Sequence, residues 1–235
     1  MIHKGGDKLD PANYRGISLI NTVTKIFTTI LHNRLSEWCE QYIILPEEQS
    51  GFRHNRGCID NIYILISVVG LNIMPKSSYL YAIFVDFKKA FDSIDHRKLW
   101  LKLYKIGVSG KNVRILKALY DNIRIMVPGY EQTPEFVDIA AGVLQGDSLS
   151  PLLFSIFIAD IVEYFVRHGM EGVKITSRKS IVMLLYANDI VLFARSPIDG
   201  NKKLEILHKY CVENSLDLNT DKNESSLVHQ SLEQD

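Results

Sequence analysis

The sequence predicts an α+β chain in which a small antiparallel sheet packs on helices. Three observations predict it. Short aromatic and β-branched runs at 79–87 and 181–194 read as buried strands. Longer segments with apolar residues at helical spacing surround them. The 235 residues, 46% hydrophobic and 23% charged, suffice for a sizeable core in one domain or two joined lobes, and exclude a disordered chain.

The elements follow in order. Residues 20–42 place Ile20, Val23, Ile26, Phe27, Ile30, Leu31, Leu35 and Trp38 on one face of an amphipathic helix, and Pro46 follows its end. Residues 59–69 form a second apolar helix, broken by "NIMPKSS". "YLYAIFVDF" is a strand in which Asp86 shares a face with Ala82 and Phe84. Asp95 is placed to N-cap a helix running to about Lys105, and 111–120 forms another. "NIRIMV" and "EFVDIA" flank "PGYEQTP" as a hairpin. "AGVLQGDSLSP" is a loop that opens a helix at 151–166. Residues 181–194 form a second hairpin, and 201–214 a last helix. Helices are expected on one side of the sheet.

Net charge is zero, with 27 basic and 27 acidic residues, which argues against a dedicated nucleic-acid binder. The distribution is uneven. Residues 97–124 hold eight basic side chains against one acid, Asp121, while 199–235 hold eight acids against four lysines. The middle segment reads either as a surface for a polyanion or as a solvated helix face. The three cysteines are far apart, which fits a reducing compartment and gives no zinc site. The polar start lacks a secretory signal and no apolar run is long enough to span a bilayer. The expectation is a soluble intracellular protein, in nucleus or cytoplasm.

Asp86 ends one predicted strand and Asp189 sits in the turn of the second hairpin, "YAND". If those strands are neighbours, two carboxylates meet at one sheet edge, where such pairs hold divalent metal. On spacing alone, a turn residue and a strand-end cap remain the alternative. In an extended chain Asp189 would face away from Asn188.

"FVDFKKAFDSIDH" (84–96), "AGVLQGDSLSPLLF" (141–154) and "LLYANDIVLFA" (184–194) resemble, in order and spacing, three palm motifs of the reverse transcriptase domain of non-LTR (LINE-type) retrotransposons. "DPANYRGISLINTVTKIFTTILHNRL" (10–35) and "LPEEQSGFRHNRGCIDNI" (45–62) resemble its fingers motifs, and "CVENSLDLNTDKNES" (211–225) the end of its palm. The resemblance implies a right-hand polymerase fold, with fingers at 1–78 and palm at 79–235. It implies an RNA-directed DNA polymerase taking an RNA template, a DNA primer and deoxynucleoside triphosphates, with two Mg2+ or Mn2+ ions. It does not reach a thumb or an endonuclease, so the chain is expected to be a truncated piece of a longer protein.

The resemblance also implies site residues. Asp86, the Phe87 carbonyl and Asp189 match metal ligands, and Asn188 stands where the family has the first aspartate of its turn. Phe91 matches the ring that excludes a 2′-hydroxyl. Arg15 matches the arginine on the triphosphate, where a planar bidentate donor suits phosphate oxygens. Gln145 and Gly146 match the loop along the incoming nucleotide, and Lys222 a lysine near the pyrophosphate. Arg53 and Arg56 would lie near template or primer. Asp92, Asp95 and His96 would fix the turn after the catalytic strand. The chain departs from the family at Leu144, often basic there, at Gly16 in place of proline, and in "RHNRG". Two readings follow: a polymerase domain impaired at Asn188, or a catalytically dead remnant that still binds nucleic acid. Phe91 argues against an RNA-dependent RNA polymerase, which must admit a 2′-hydroxyl.

Overall fold

The computed structural model describes residues 2–3, 5–10, 13–73, 79–128, 134–138, 141–219 and 224–228. In chain order the elements are β1 (Ile2–His3), β2 (Tyr14–Arg15), α1 (Thr22–Gln41), α2 (Cys58–Ile73), β3 (Leu80–Asp86), α3 (His96–Lys105), α4 (Gly110–Asp121), β4 (Arg124–Pro128), β5 (Pro134–Asp138), α5 (Ser150–Phe157), α6 (Ile161–Arg167), β6 (Val173–Lys174), β7 (Ser180–Ile181), β8 (Met183–Tyr186), β9 (Asp189–Ala194), α7 (Pro197–Asn214) and β10 (Glu224–Val228). They fall into two compact units. Met1–Gln41 and Phe91–Phe157 form one; Tyr42–Ala90 and Ile158–Asp235 form the other.

The second unit is built on a four-stranded antiparallel sheet ordered β10-β3-β9-β8. Its register pairs Ala82 with Phe193, Phe84 with Val191 and Asp86 with Asp189, so Asp86 does share a face with Ala82 and Phe84. On that face Leu80, Leu184 and Phe193 pack with Val68 and Ile73 of α2. The opposite face presents Ile83 and Ala194 to α7, where Gly200 lets the helix approach. Helices therefore cover both faces, against the one-sided expectation, because β3 and β9 are apolar on both faces. The buried Lys203 ammonium donates to the Phe193 carbonyl at 2.7 Å and pairs with Asp199 at 3.0 Å, tying α7 to the end of β9.

In the first unit, Asp95 caps α3 as expected, accepting from the Arg97 and Lys98 amides. Leu99, Trp100 and Leu103 of α3 and Val113, Leu116 and Tyr120 of α4 are buried. Strands β4 and β5 form the expected hairpin, whose tip at 129–133 lies outside the described residues. The helix expected at 151–166 is two helices along the chain, α5 in this unit and α6 in the second, with a turn at 158–160. The apolar stripe of α1 is also not core. Val23, Ile26, Phe27 and Ile30 are exposed, and only Thr28 and Cys39 are buried. Among the described residues no helix is long and apolar enough to cross a membrane.

Candidate functional site

In the sheet unit, the sequence brings two carboxylates to one end of β3 and β9. Asp86 is the last residue of β3 and Asp189 the first of β9, and they are direct register partners. Partners across an antiparallel pair point to the same face. The connection from β8 is the two-residue loop Ala187–Asn188, with Ala187 in the left-handed region at φ 57°. Loop residues are not extended, so strict alternation does not carry through Asn188, and Asp189 does not turn away from Asp86. Asn188 reaches Asp86 as well: its Nδ2 donates to Oδ1 at 2.9 Å. Asn219 supplies two more donors, Nδ2 to Oδ2 at 3.3 Å and its backbone N–H to the Asp86 carbonyl at 2.9 Å. Phe87 pairs with Leu218 in a short bridge whose two hydrogen bonds come from the residues on either side of each. The carboxylates border a cleft of about 430 Å³ whose apolar walls include Ile62, Phe84, Tyr186 and Val191.

The turn is held from its edge by a residue the sequence did not flag. Gln49 is fully buried. Its Oε1 accepts from the Ala187 amide at 3.0 Å and the Gly51 amide at 2.9 Å, and its Nε2 donates to the Ala187 carbonyl at 3.3 Å. Backbone bonds from Leu185 to Glu48 and from Ser50 to Leu185 run alongside. A Cβ on Gly51 would lie 2.1 Å from the Ala187 nitrogen, so only glycine permits this approach. The motif carried the residues, but nothing in periodicity marks a glutamine for burial.

The other predicted residues divide by unit. In the first unit, the half-buried Phe91 packs against Phe154, with centroids 5.0 Å apart and ring planes tilted by 41°. Its carbonyl accepts from the Val143 amide, and the Gly142 amide donates to Ile94, so the 91–94 turn and the 142–145 loop are bonded together. Gln145 Nε2 donates to Asp92 Oδ1 at 2.6 Å, and His96 Nε2 bonds the Gly142 carbonyl at 2.7 Å. Asp92, Asp95 and His96 thus fix this turn as expected. The Gln145 carbonyl accepts from the Ser18 amide, and Gly146, at φ 114°, passes so near that a Cβ would lie 2.9 Å from the Ser18 oxygen. Asp147 is buried and accepts from Thr28 Oγ1 at 2.5 Å, which anchors α1 to the loop. Burial pushes the nearby His32 imidazole below its ordinary range, opposed by the Asp147 charge. Arg15 closes β2 as the partner of Ile2.

In the sheet unit, Arg53 is buried and donates to the Pro46 and Gln49 carbonyls at 3.0 and 3.2 Å. Arg56 pairs with Glu47 at 2.7 Å. Both arginines thus bind the 46–49 segment that carries Gln49. Lys222 lies outside the described residues.

Comparison with known proteins decides what this site descends from. The family model described as "Reverse transcriptase (RNA-dependent DNA polymerase)" matches residues 2–233. The chain belongs to the reverse transcriptase family. Within it, the chain is 32% identical over 197 residues to a probable RNA-directed DNA polymerase from transposon BS of Drosophila melanogaster, covering 83% of this chain and 21% of that protein. It is 29% identical over 199 residues to a Pol polyprotein from the type-1 retrotransposable element R2 of Nasonia vitripennis, covering 83% and 18%. The chain therefore spans about a fifth of the length of these relatives. It is a reverse transcriptase domain of the non-LTR type. Telomerase from Candida albicans, solved with a fragment of telomeric RNA, shares the fold at a TM-score of 0.63 and 13% identity, over 87% of this chain and 35% of that one. An apo telomerase from Candida Tropicalis matches at 0.63, over 87% and 40%.

Reverse transcriptases work with divalent metal, and the donor set here fits that requirement incompletely. Asp86 and Asp189 bring two carboxylates to one face. The third position is an amide whose N–H, not its oxygen, faces Asp86. An amide oxygen can ligate a hard cation but adds no charge. Among the described residues no group of three or more His, Cys, Asp or Glu could hold a metal ion. These residues do not make a two-ion site.

Proposed function

We propose that this chain is the fingers (1–78) and palm (79–235) portion of an RNA-directed DNA polymerase of the LINE type, impaired in nucleotidyl transfer by Asn188. Its ligands are an RNA template, a DNA primer and deoxynucleoside triphosphates. One observation carries the impairment. The Asn188 amide donates to the Asp86 oxygen that would otherwise face a cation. In this reading Arg15 grips the triphosphate, Phe91 excludes the 2′-hydroxyl, and Gln145 and Gly146 line the incoming nucleotide. Phe91 is supported in that role by its partial exposure and its tilted ring contact with Phe154, which holds the ring in place. Arg53 and Arg56 support the hairpin through the 46–49 segment.

The test is primer extension on an RNA template with Mg2+ or Mn2+, using the chain alone and fused to a thumb from a relative. Extension is expected to be absent or barely detectable in both, and Asn188→Asp in the fused form is expected to raise it. Robust extension by the unmodified chain overturns the impairment. The second reading, a binding remnant without catalysis, is favoured by the same amide–carboxylate bond. It prevails if the fused Asn188→Asp protein binds RNA and still extends nothing.

A further inference from the structure

The eight basic residues of 97–124 remain without a role in the carboxylate site. They lie mainly on α3 and α4, and the structure sorts them by face. The inward faces are apolar and buried. Arg97, Lys105, Lys111, Arg114 and Lys117 are all exposed. Among the described residues none of these five forms an ion pair. The two helices present one continuous surface. A Cβ on Gly110 would lie 3.5 Å from Arg114 Nη1 and 3.7 Å from Tyr104 Cε1, so guanidinium and ring flank the same glycine. Tyr104 and Leu101 are half exposed on the same outward side. Phe91 reaches this unit's core through Phe154 of α5, on which the inward side of α3 packs. The basic surface is therefore the other side of α3.

We propose that the outward faces of α3 and α4 form a second, sequence-independent surface that holds the phosphodiester backbone of a nucleic acid. Lys111, Arg114 and Lys117 recur every three residues, so they line about 9 Å of helix. Each strand of a duplex carries a charge about every 3.4 Å of helix axis, so a row of this length meets at most roughly two to three phosphates. Arg114 can take a phosphate with two parallel N–H donors, and the Tyr104 ring beside it offers a stacking face. An acidic protein partner fits less well, since protein interfaces are depleted of lysine and centre on buried apolar anchors. The inference builds on the polynucleotide reading above, but none of the residues matched to the polymerase site takes part.

The experiment is fluorescence anisotropy of a short labelled RNA, single-stranded and as a duplex, titrated with the full chain across a salt series. The variant is Lys111→Gln/Arg114→Gln/Lys117→Gln, which keeps good helix formers. The control is Lys202→Gln/Lys209→Gln on the exposed side of α7. The triple variant is expected to lose about 0.7–0.9 of the log–log salt slope per phosphate contact, and roughly 10- to 100-fold in affinity at low salt. The control is expected to retain both. If the triple variant melts earlier than the parent, Lys117→Gln alone reads one contact's share of the slope. The proposal is overturned if slope and affinity survive the triple substitution, or if the parent binds neither form of RNA. It is also overturned if phosphatidylserine vesicles bind as tightly as RNA and lose binding equally, which marks a general anion patch. If RNA binding depends on this surface but the thumb-fused Asn188→Asp protein still extends no primer, this proposal stands and the catalytic one is overturned.

Discussion

Replacing Asn188 by aspartate converts an attraction into a repulsion, and the geometry sets the size of the change. The Asn188 Nδ2 to Asp86 Oδ1 distance is 2.9 Å. Two unit negative charges at that separation repel by about 1.4 kcal/mol at the dielectric of water and about 6 kcal/mol at an effective value near 20. Both side chains are only partly buried, so screening places the cost toward the lower end, about 1.5–3 kcal/mol. The lost charge-assisted hydrogen bond adds about 1.5–3 kcal/mol. Asn188→Asp should therefore destabilise the metal-free chain by a few kcal/mol. At about 2–4 °C per kcal/mol for a domain of this size, the melting temperature in EDTA should drop by roughly 6–24 °C. A divalent ion bound only by the folded variant reverses this, by about 2.7 kcal/mol at a hundredfold excess over Kd. The assay is thermal unfolding of parent and variant in EDTA, Mg2+ and Mn2+. The parent's melting temperature should respond little to metal, and the variant's should recover most of its loss. If the two proteins melt together in EDTA, or gain equally from metal, Asn188 is not facing Asp86 as a donor and the reasoning fails.

Four further substitutions have expected outcomes. Gly51→Ala puts a methyl group 2.1 Å from the Ala187 nitrogen and should detach the 46–51 segment from the hairpin, costing about 3 kcal/mol or more in denaturant unfolding; Gln49→Leu, which leaves the Ala187 and Gly51 amides unpaired, should cost about 1–3 kcal/mol per orphaned group. In a version with restored polymerisation, Phe91→Ala should relax the choice of deoxynucleotides over ribonucleotides; unchanged discrimination would mean that the ring only packs on Phe154. His32 is held below its ordinary value of 6.5, so as pH falls through that value the unfolded chain binds the proton first and stability declines; His32→Gln should flatten stability measured between about pH 6.5 and 5.

The sheet that carries Asp86 was legible because short aromatic and β-branched runs and the "YAND" turn each leave a strong mark in sequence. The α3 cap was legible because Asp95 immediately precedes an amphipathic run. The rest was hidden for identifiable reasons. The segment "ESSLV" of β10 lacks apolar alternation, so its pairing with β3 rests on backbone bonds that no pattern announces. The break between α5 and α6 falls in an apolar run with neither glycine nor proline to mark it. The α1 stripe looked like core because periodicity reports a face and not whether another element covers it. Arg53 looked like a nucleic-acid contact, yet its guanidinium turns inward onto carbonyls, which only tertiary structure decides. Asn219 gave no signal as the partner of Asp86, since the two lie 133 residues apart.

The grip of Gln49 on the hairpin has an evolutionary consequence. It reads the backbone N–H and C=O of Ala187 and nothing of the side chain at 188. Asparagine there also finds a ready acceptor in Asp86. A lineage that exchanged aspartate for asparagine at this position would therefore meet no penalty from misfolding or degradation. Purifying selection on the fold does not oppose the change, and only selection on replication of the element could remove it. Copies of this domain can lose their chemistry in a single substitution and go on being inherited as well-folded proteins.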